Sequence, residues 1–320
     1  MIINILILLA GLLLILLGAN YLVEGSSSIA RKSGISEFVI GLTIVGIGTS
    51  TPEMVVSFMS SYMGKSDMAI GNIVGSNIFN TMLILGITAV ITPLKITRAN
   101  LRRDIPMNII ATMLLILFGL NHSIFGVGNN SISRIDGALL LLLFAYYLFI
   151  SFRKDPSANA DDEQDTQKIY SSGLSAIMII GGLAGLIFGG RLFVNSGVAI
   201  AKECGVSDAF IAITLMAGGT SFPELATCVI AALKKRGQLA LGNILGSNVS
   251  NILLIIGGSA LIRPLHISGV TPVDMGVMLL SAIFLLSCSY LFQKKKLDKI
   301  EGGILLVMWI AYMIWLIMSI

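Results

Sequence analysis

Long apolar runs separated by short polar breaks fill the chain. They fall at roughly 2–29, 36–61, 68–92, 104–121, 135–152, 171–200, 208–233, 238–262, 272–292 and 301–319. About 20 apolar residues suffice for a helix to cross a bilayer, so the pattern predicts an all-α membrane protein with about ten transmembrane helices. The longest runs exceed that length and predict tilted or broken helices. The first run, Ile2 to Val23, has neither a basic leader nor a cleavage site and reads as a retained first helix, not a signal peptide.

Polar residues inside the runs follow a repeat. Gly46 to Glu53 reads G-I-G-T-S-T-P-E, and Ala217 to Glu224 reads A-G-G-T-S-F-P-E, 171 positions later. The same offset joins Gly71-Asn72 to Gly242-Asn243, Gly75-Ser76-Asn77 to Gly246-Ser247-Asn248, Asn80 to Asn251 and Pro93 to Pro264. Upstream it joins Gly18 to Gly189 and Val23 to Val194, so the register holds without gaps from about Gly18 to Pro93. In each copy a proline removes a backbone donor just before the glutamate, and glycines and small hydroxyl residues loosen the helix further. Helices 2 and 7 are therefore expected to be broken. With a slightly different offset, Arg134-Ile-Asp136-Gly137 matches Lys299-Ile-Glu301-Gly302 at the starts of the fifth and tenth runs. Those carboxylates read as first-turn residues that complement the helix dipole.

The organisation is thus a five-helix repeat at 1–152 with its core at 36–92, a linker at 153–170, and a second repeat at 171–320 with its core at 208–262. Asp155-Pro156 and the acidic residues Asp161, Asp162, Glu163 and Asp165 mark the linker as solvated; an EF-hand reading fails because its glycine and spacing are missing.

Composition agrees. Of 320 residues, 55% are hydrophobic and 12% charged, against about 25% charged in soluble domains. The net charge of +4 carries no nucleic-acid signal; its distribution is informative instead. Counting loops alternately from the first, one set holds 16 basic residues and the other only Lys65, Arg134, Lys202 and Arg263, with Arg191 left inside the sixth run. The positive-inside rule puts the first set in the cytoplasm and both termini outside. Five helices per repeat then make the second repeat inverted, which places substrate near the midplane between broken helices. Cys204, Cys228 and Cys288 have no paired spacing and read as small core residues.

Intramembrane carboxylates mark functional sites. Inversion brings Glu53 and Glu224 together, and at about 5 Å and an effective dielectric near 20 they repel by roughly 3 kcal/mol. A cation or protons must neutralise the pair. A hard divalent ion in an oxygen shell fits best, with carbonyls freed by the breaks near Thr49 and Thr220 adding ligands. The absence of His, Cys and Met from the motifs argues against zinc or copper. Ser76 and Asn80 share a helix face, as do Ser247 and Asn251; with Ser50 and Ser221 they offer neutral oxygens suited to a monovalent cation. Gly71, Gly75, Gly242 and Gly246 also form small-residue patterns for close helix approach.

G-T-S-x-P-E followed by G-N-x-x-G-S-N-x-x-N, written twice, resembles the α-repeats of the cation/calcium exchanger superfamily, and is most similar to its prokaryotic sodium/calcium exchanger branch. The resemblance covers the whole chain. It implies calcium ligands at Glu53 and Glu224 with backbone oxygens of Thr49 and Thr220. It implies sodium ligands at Ser50, Ser76, Ser221 and Ser247, with main-chain oxygens of Gly46 and Ala217, and Asn80 and Asn251 lining the centre. Some relatives, potassium-dependent ones among them, carry Asp where this chain has Asn251, which argues against potassium coupling.

The expected function is a sodium/calcium antiporter of the cell membrane working by alternating access, needing no cofactor and acting as a monomer, with calcium, sodium and lipid as its partners and no nucleic acid. A proton/calcium antiporter is the alternative, since protons too discharge carboxylates. A cation channel is a remoter one, because a continuous pore would need a filter or oligomeric rings and internal inverted repeats favour a rocking transporter. An enzyme is disfavoured, since no nucleophile–base pair accompanies the carboxylates.

Overall fold

The computed structural model describes residues 1–126, 129–153, 169–204, 217–291 and 296–319. Most of the linker and the first part of the seventh run, 208–216, lie outside them. The described helices longer than five residues are α1 (Ile2–Ser33), α2 (Glu37–Thr49), α3 (Thr51–Tyr62), α4 (Ser66–Ile91), α5 (Ile105–Gly119), α6 (Arg134–Ser151), α7 (Ser172–Glu203), α8 (Phe222–Leu233), α9 (Gly237–Ile262), α10 (Pro272–Leu291) and α11 (Lys299–Met318). Among the described residues, six helices are long and apolar enough to cross a membrane, or seven when the bent pair α2–α3 is taken as one span.

At 32 residues each, α1 and α7 are about 48 Å long at 1.5 Å per residue, so they must tilt across a ~30 Å core. They lie antiparallel along a seam of glycines. A Cβ added to Gly18 would meet the Gly182 carbonyl at 2.7 Å, one on Gly11 the Gly189 carbonyl at 2.9 Å, and one on Gly25 the Ser175 carbonyl at 2.8 Å. Only hydrogen fits there, which lets the two backbones touch. Helix α1 stops at Gly34, whose φ of 64° closes the left-handed cap that glycine adopts without strain.

The interior is formed by α4 and α9. Each is α-helical at first and then turns π-helical, at Phe79–Ile84 and Asn251–Ile256. Such π-turns are frequent at functional sites. Helix α9 is encased: every residue from Leu239 to Leu253 is buried, and the outer surface is left to α1, α6, α7 and α11. Leu, Ile and Val exposed on those outer helices suit lipid.

Two short strand pairs, which the hydrophobic pattern does not reveal, tie the halves together. Strand β1 (Leu94–Lys95) pairs antiparallel with β4 (Lys296–Leu297), and β2 (Ser131–Ile132) with β3 (Leu265–His266). The carboxylates at the starts of α6 and α11 are capping groups: Asp136 accepts from the Ser133 N–H at 2.8 Å and Glu301 from the Asp298 N–H at 2.9 Å, completing a capping box at each helix. This is the helix-start role read from the sequence.

Candidate cation site

The chain breaks at Ser50, where α2 ends and α3 leaves at 48°. Pro52 has no N–H for the Gly48 carbonyl one turn earlier. The Thr51 hydroxyl donates to that carbonyl instead, at 2.7 Å. In the second half Ala217–Gly219 forms a short helical turn, Ser221 precedes α8, and Pro223 sits at its start. Phe222 there replaces Thr51, so no hydroxyl stands at that position. Each break puts a glutamate in the first turn of a new helix, where backbone N–H groups face an anion.

Glu53 and Glu224 are both fully buried. Each carboxylate is held by a serine of the opposite half. Ser50 Oγ donates to Glu224 Oε1 at 3.0 Å, and Ser221 Oγ donates to Glu53 Oε1 at 3.2 Å. Ser76 Oγ lies 3.4 Å from Glu53 Oε1 and 3.1 Å from Ser221 Oγ. Ser247 Oγ donates to the Gly46 carbonyl at 3.1 Å. Asn251 Nδ2 donates to Ser76 Oγ at 3.3 Å, and Asn80 Nδ2 to Asn248 Oδ1 at 3.2 Å. The Thr49 hydroxyl is bound to Asn243 Oδ1 at 3.2 Å. Residues from both halves of the sequence thus meet in one buried cluster. Ala217 begins its turn nearby in sequence, but its side chain is outside the described set.

The cluster leaves oxygens over. Glu53 Oε2, Glu224 Oε2, Asn80 Oδ1, Asn251 Oδ1 and Thr220 Oγ1 are buried and have no hydrogen-bond partner among the described residues. Buried polar atoms are ordinarily satisfied. Two carboxylate and two amide oxygens with no donor form an acceptor-only set, which is what a hard cation needs. Among the described residues no group of three or more His, Cys, Asp and Glu gathers anywhere, so a soft-metal centre has no counterpart there.

Residues not singled out as ligands hold this arrangement. Asn72 Nδ2 donates to the Glu53 carbonyl at 3.2 Å and to Ser57 Oγ at 3.0 Å, bracing α3 against α4. Asn243 receives Thr49 and donates to Cys228 Sγ at 3.2 Å. Asn77 Nδ2 donates to the Asn248 carbonyl at 3.1 Å, and Asn248 Nδ2 to Thr81 Oγ1 at 2.8 Å, locking α4 to α9. Their signal was present, since Asn72/Asn243 and Asn77/Asn248 all obey the 171-residue offset.

The two faces of the cluster differ. On α9, Gly242 and Gly246 lie directly against the Phe38 and Leu42 carbonyls of α2. Their repeat counterparts on α4 are open: a Cβ on Gly75 would meet nothing within 4 Å, and one on Gly71 only Val270 at 3.8 Å. A cavity of about 510 Å³ lies there, running between Asp67 and Met68 at the start of α4 and Gly219, Thr220 and Pro223 at the second break. On the closed face, Lys234 is ion-paired to Glu24, and Arg236 to Glu37 at 2.8 Å and Glu24 at 3.9 Å.

A family model described as sodium/calcium exchanger protein matches residues 3–153 and 174–318. The chain belongs to this family. Among curated relatives it is 37% identical over 314 residues to the putative antiporter CaxA of Alkalimonas amylolytica, covering 95% of each chain. It is 32% identical to the sodium/calcium exchanger MaX1 of Methanosarcina acetivorans, covering 98% of each. Among solved structures it matches the sodium-calcium exchanger NCX_Mj soaked with 10 mM Na⁺ and 10 mM Sr²⁺, with a TM-score of 0.82, 32% identity and 97% of each chain covered. This sodium/calcium exchanger family member is a membrane ion exchanger and not an enzyme, with cation/calcium exchange as its class of activity.

Proposed function

We propose that the chain is a secondary active antiporter exchanging sodium for calcium across the cell membrane by alternating access. The observation that carries this reading is the set of buried oxygens without a partner among the described residues, Glu53 Oε2, Glu224 Oε2, Asn80 Oδ1 and Asn251 Oδ1, ringed by serine hydroxyls. Glu53 and Glu224, with the Thr49 and Thr220 backbone oxygens, hold calcium. Ser50, Ser76, Ser221 and Ser247, with the Gly46 and Ala217 carbonyls and the same two glutamates, hold sodium, and Asn80 and Asn251 line the centre. Sharing the carboxylates makes the two loads compete, which is the requirement for exchange: one ion's departure restores the charge that attracts the other.

The architecture in this proposal is two inverted five-helix repeats, 1–152 and 171–320, joined by a cytoplasmic linker. Two features support it. The repeat-equivalent helices α1 and α7 run antiparallel, as inversion requires. The strand pairs join only loops that the charge count places on the same side: Lys95 with Lys296 in the basic set, and the loops carrying Arg134 and Arg263 in the other. With the basic set inside, both termini lie outside. The site is built wholly within one chain, which supports action as a monomer.

The test is calcium-45 uptake into proteoliposomes. An outward sodium gradient is expected to drive uptake without potassium. Uptake driven by a pH gradient and indifferent to sodium would establish the proton-coupled alternative instead.

A further inference from the structure

The cavity that reaches the second break is lined almost entirely by uncharged residues. Its charged members are Asp67 and Arg191. Asp67 accepts from the Ser268 N–H at 2.9 Å, the Gly269 N–H at 2.7 Å and the Ser268 hydroxyl at 2.6 Å; these neutral donors pin it to the neighbouring loop and leave its negative charge in place. Arg191 is different. It lies well within α7, its side chain is exposed, and among the described residues it has no hydrogen-bond or ion-pair partner. Val194, three residues on and hence about one helical turn away, lies against the second break: a Cβ on Gly219 would meet its Cγ2 at 2.7 Å. Arg191 therefore lines the passage roughly one turn from the backbone that precedes Thr220 and Ser221.

A guanidinium without a partner among the described residues, beside a cavity that reaches the break, needs a reason, because Arg keeps its charge at every physiological pH. The internal repeat sharpens the point. The residue 171 positions before Arg191 is Asn20, and that before Asn195 is Glu24. One half thus presents a cation and an amide where the other presents an amide and an anion. The two halves thus differ in charge at these positions although the central ligands are duplicated, and Glu24 is held by Lys234 and Arg236.

We propose that Arg191 is a specificity-determining residue of this passage, adding a positive contribution to its potential that opposes calcium more than sodium. Resting on the sodium/calcium reading above, the inference adds a sidedness to it. A potential acts on a divalent ion with twice the energy it exerts on a monovalent one, so the calcium factor is the square of the sodium factor. For a unit charge ~10 Å from the passing ion in a water-like dielectric, these factors are about 2 for sodium and about 4 for calcium. On the Asp67 face the charge then disfavours calcium about twice as strongly as it disfavours sodium, which shifts competition for the site toward sodium. Arg191 touches no ligand of the central site; it acts through the field in the passage.

The experiment uses the full chain in proteoliposomes, reading calcium half-saturation by calcium/calcium exchange and sodium half-saturation by sodium-dependent calcium flux. Both are measured at low and at physiological ionic strength with Arg191→Gln, Arg191→Lys and Arg191→Glu. Arg191→Gln is expected to lower the calcium value about fourfold and the sodium value about twofold at low salt, with both differences shrinking as salt shortens the screening length. Arg191→Glu shifts both in the same direction again, and Arg191→Lys keeps the wild-type values. If Arg191→Gln inserts poorly, the ratio between the Lys and Glu variants carries the same square relation. Equal factors for the two ions, shifts indifferent to salt, or no shift would overturn the inference while wild-type exchange leaves the functional reading intact. A wild type that exchanges no calcium would overturn both.

Discussion

Ser50 of the first broken helix donates to Oε1 of Glu224 at 3.0 Å, 174 positions along the chain, and Ser221 returns the bond to Glu53 at 3.2 Å. Each half therefore supplies the hydroxyl that solvates the other half's carboxylate. Hydrogen bonds to a charged group are worth about 1.5–3 kcal/mol. In the proposed sodium-bound state these serine oxygens are ligands, so Ser50→Ala and Ser221→Ala are expected to raise the sodium concentration for half-maximal exchange by roughly tenfold, a change of about 1.4 kcal/mol. Calcium/calcium exchange should suffer less, because the carboxylates remain. Sodium titrations of calcium-45 flux check this; equal losses for both ions would remove the serines from the sodium set.

Glu53→Gln and Glu224→Gln should each abolish calcium transport while leaving an inserted, folded protein. Gln keeps the shape and one acceptor oxygen but removes a charge-assisted contact in a buried site. The fold survives because loss of one charge relieves repulsion between two buried anions. Asp136→Asn and Glu301→Gln should be mild for transport, as both cap helix starts. Flux and monodispersity in detergent, measured together, separate the two effects. Near wild-type transport by either Gln variant would sink the paired-carboxylate site.

Neighbouring glycines on α7 should behave oppositely. A Cβ at Gly182 would lie 2.7 Å from both the Gly18 carbonyl and the Leu22 nitrogen, whereas one at Gly181 would meet nothing within 4 Å. Gly182→Ala is expected to cost about 1–3 kcal/mol through forced separation of the helices. Gly181→Ala should be neutral or slightly stabilising, as alanine is the better helix former by about 1 kcal/mol. Melting temperatures in detergent decide; indistinguishable variants would mean that α1 and α7 do not touch along this seam.

On the closed face, Arg236 is 6% exposed and its guanidinium is held by Glu37 and, at longer range, Glu24. Glu37→Gln strips a buried cation of its close partner, a change worth about 3–5 kcal/mol. Lys234→Gln, at a more exposed pair, should cost less than about 1 kcal/mol. The prediction is that Glu37→Gln lowers thermal stability several times more than Lys234→Gln. The reverse order would show that Arg236 finds water.

Much of this was legible in the sequence because membranes impose strong rules. Hydrophobic runs located the helices, and the described helices begin and end within a few residues of them in most cases, as α4 at Ser66–Ile91 against 68–92. Proline before glutamate located both breaks, because a missing N–H acts locally whatever surrounds it. The 171-residue register named the serines and asparagines, since a duplicated motif carries its polar residues along. The tertiary structure alone decided which atoms pair. That Ser50 serves Glu224 and not Glu53 depends on how two distant segments cross, and that Asn72 braces α3 depends on where α4 folds back. The strand pairs of Leu94 with Leu297 and Ile132 with Leu265 were invisible for a similar reason: two residues carry no periodicity, and their partners lie in the other half. The sequence likewise treats Gly75 and Gly246 as equivalents, yet one faces open space and the other the Leu42 carbonyl. A repeat encodes the same residues twice, whereas each copy packs against different neighbours, so this asymmetry belongs to the tertiary structure and not to the repeated motif.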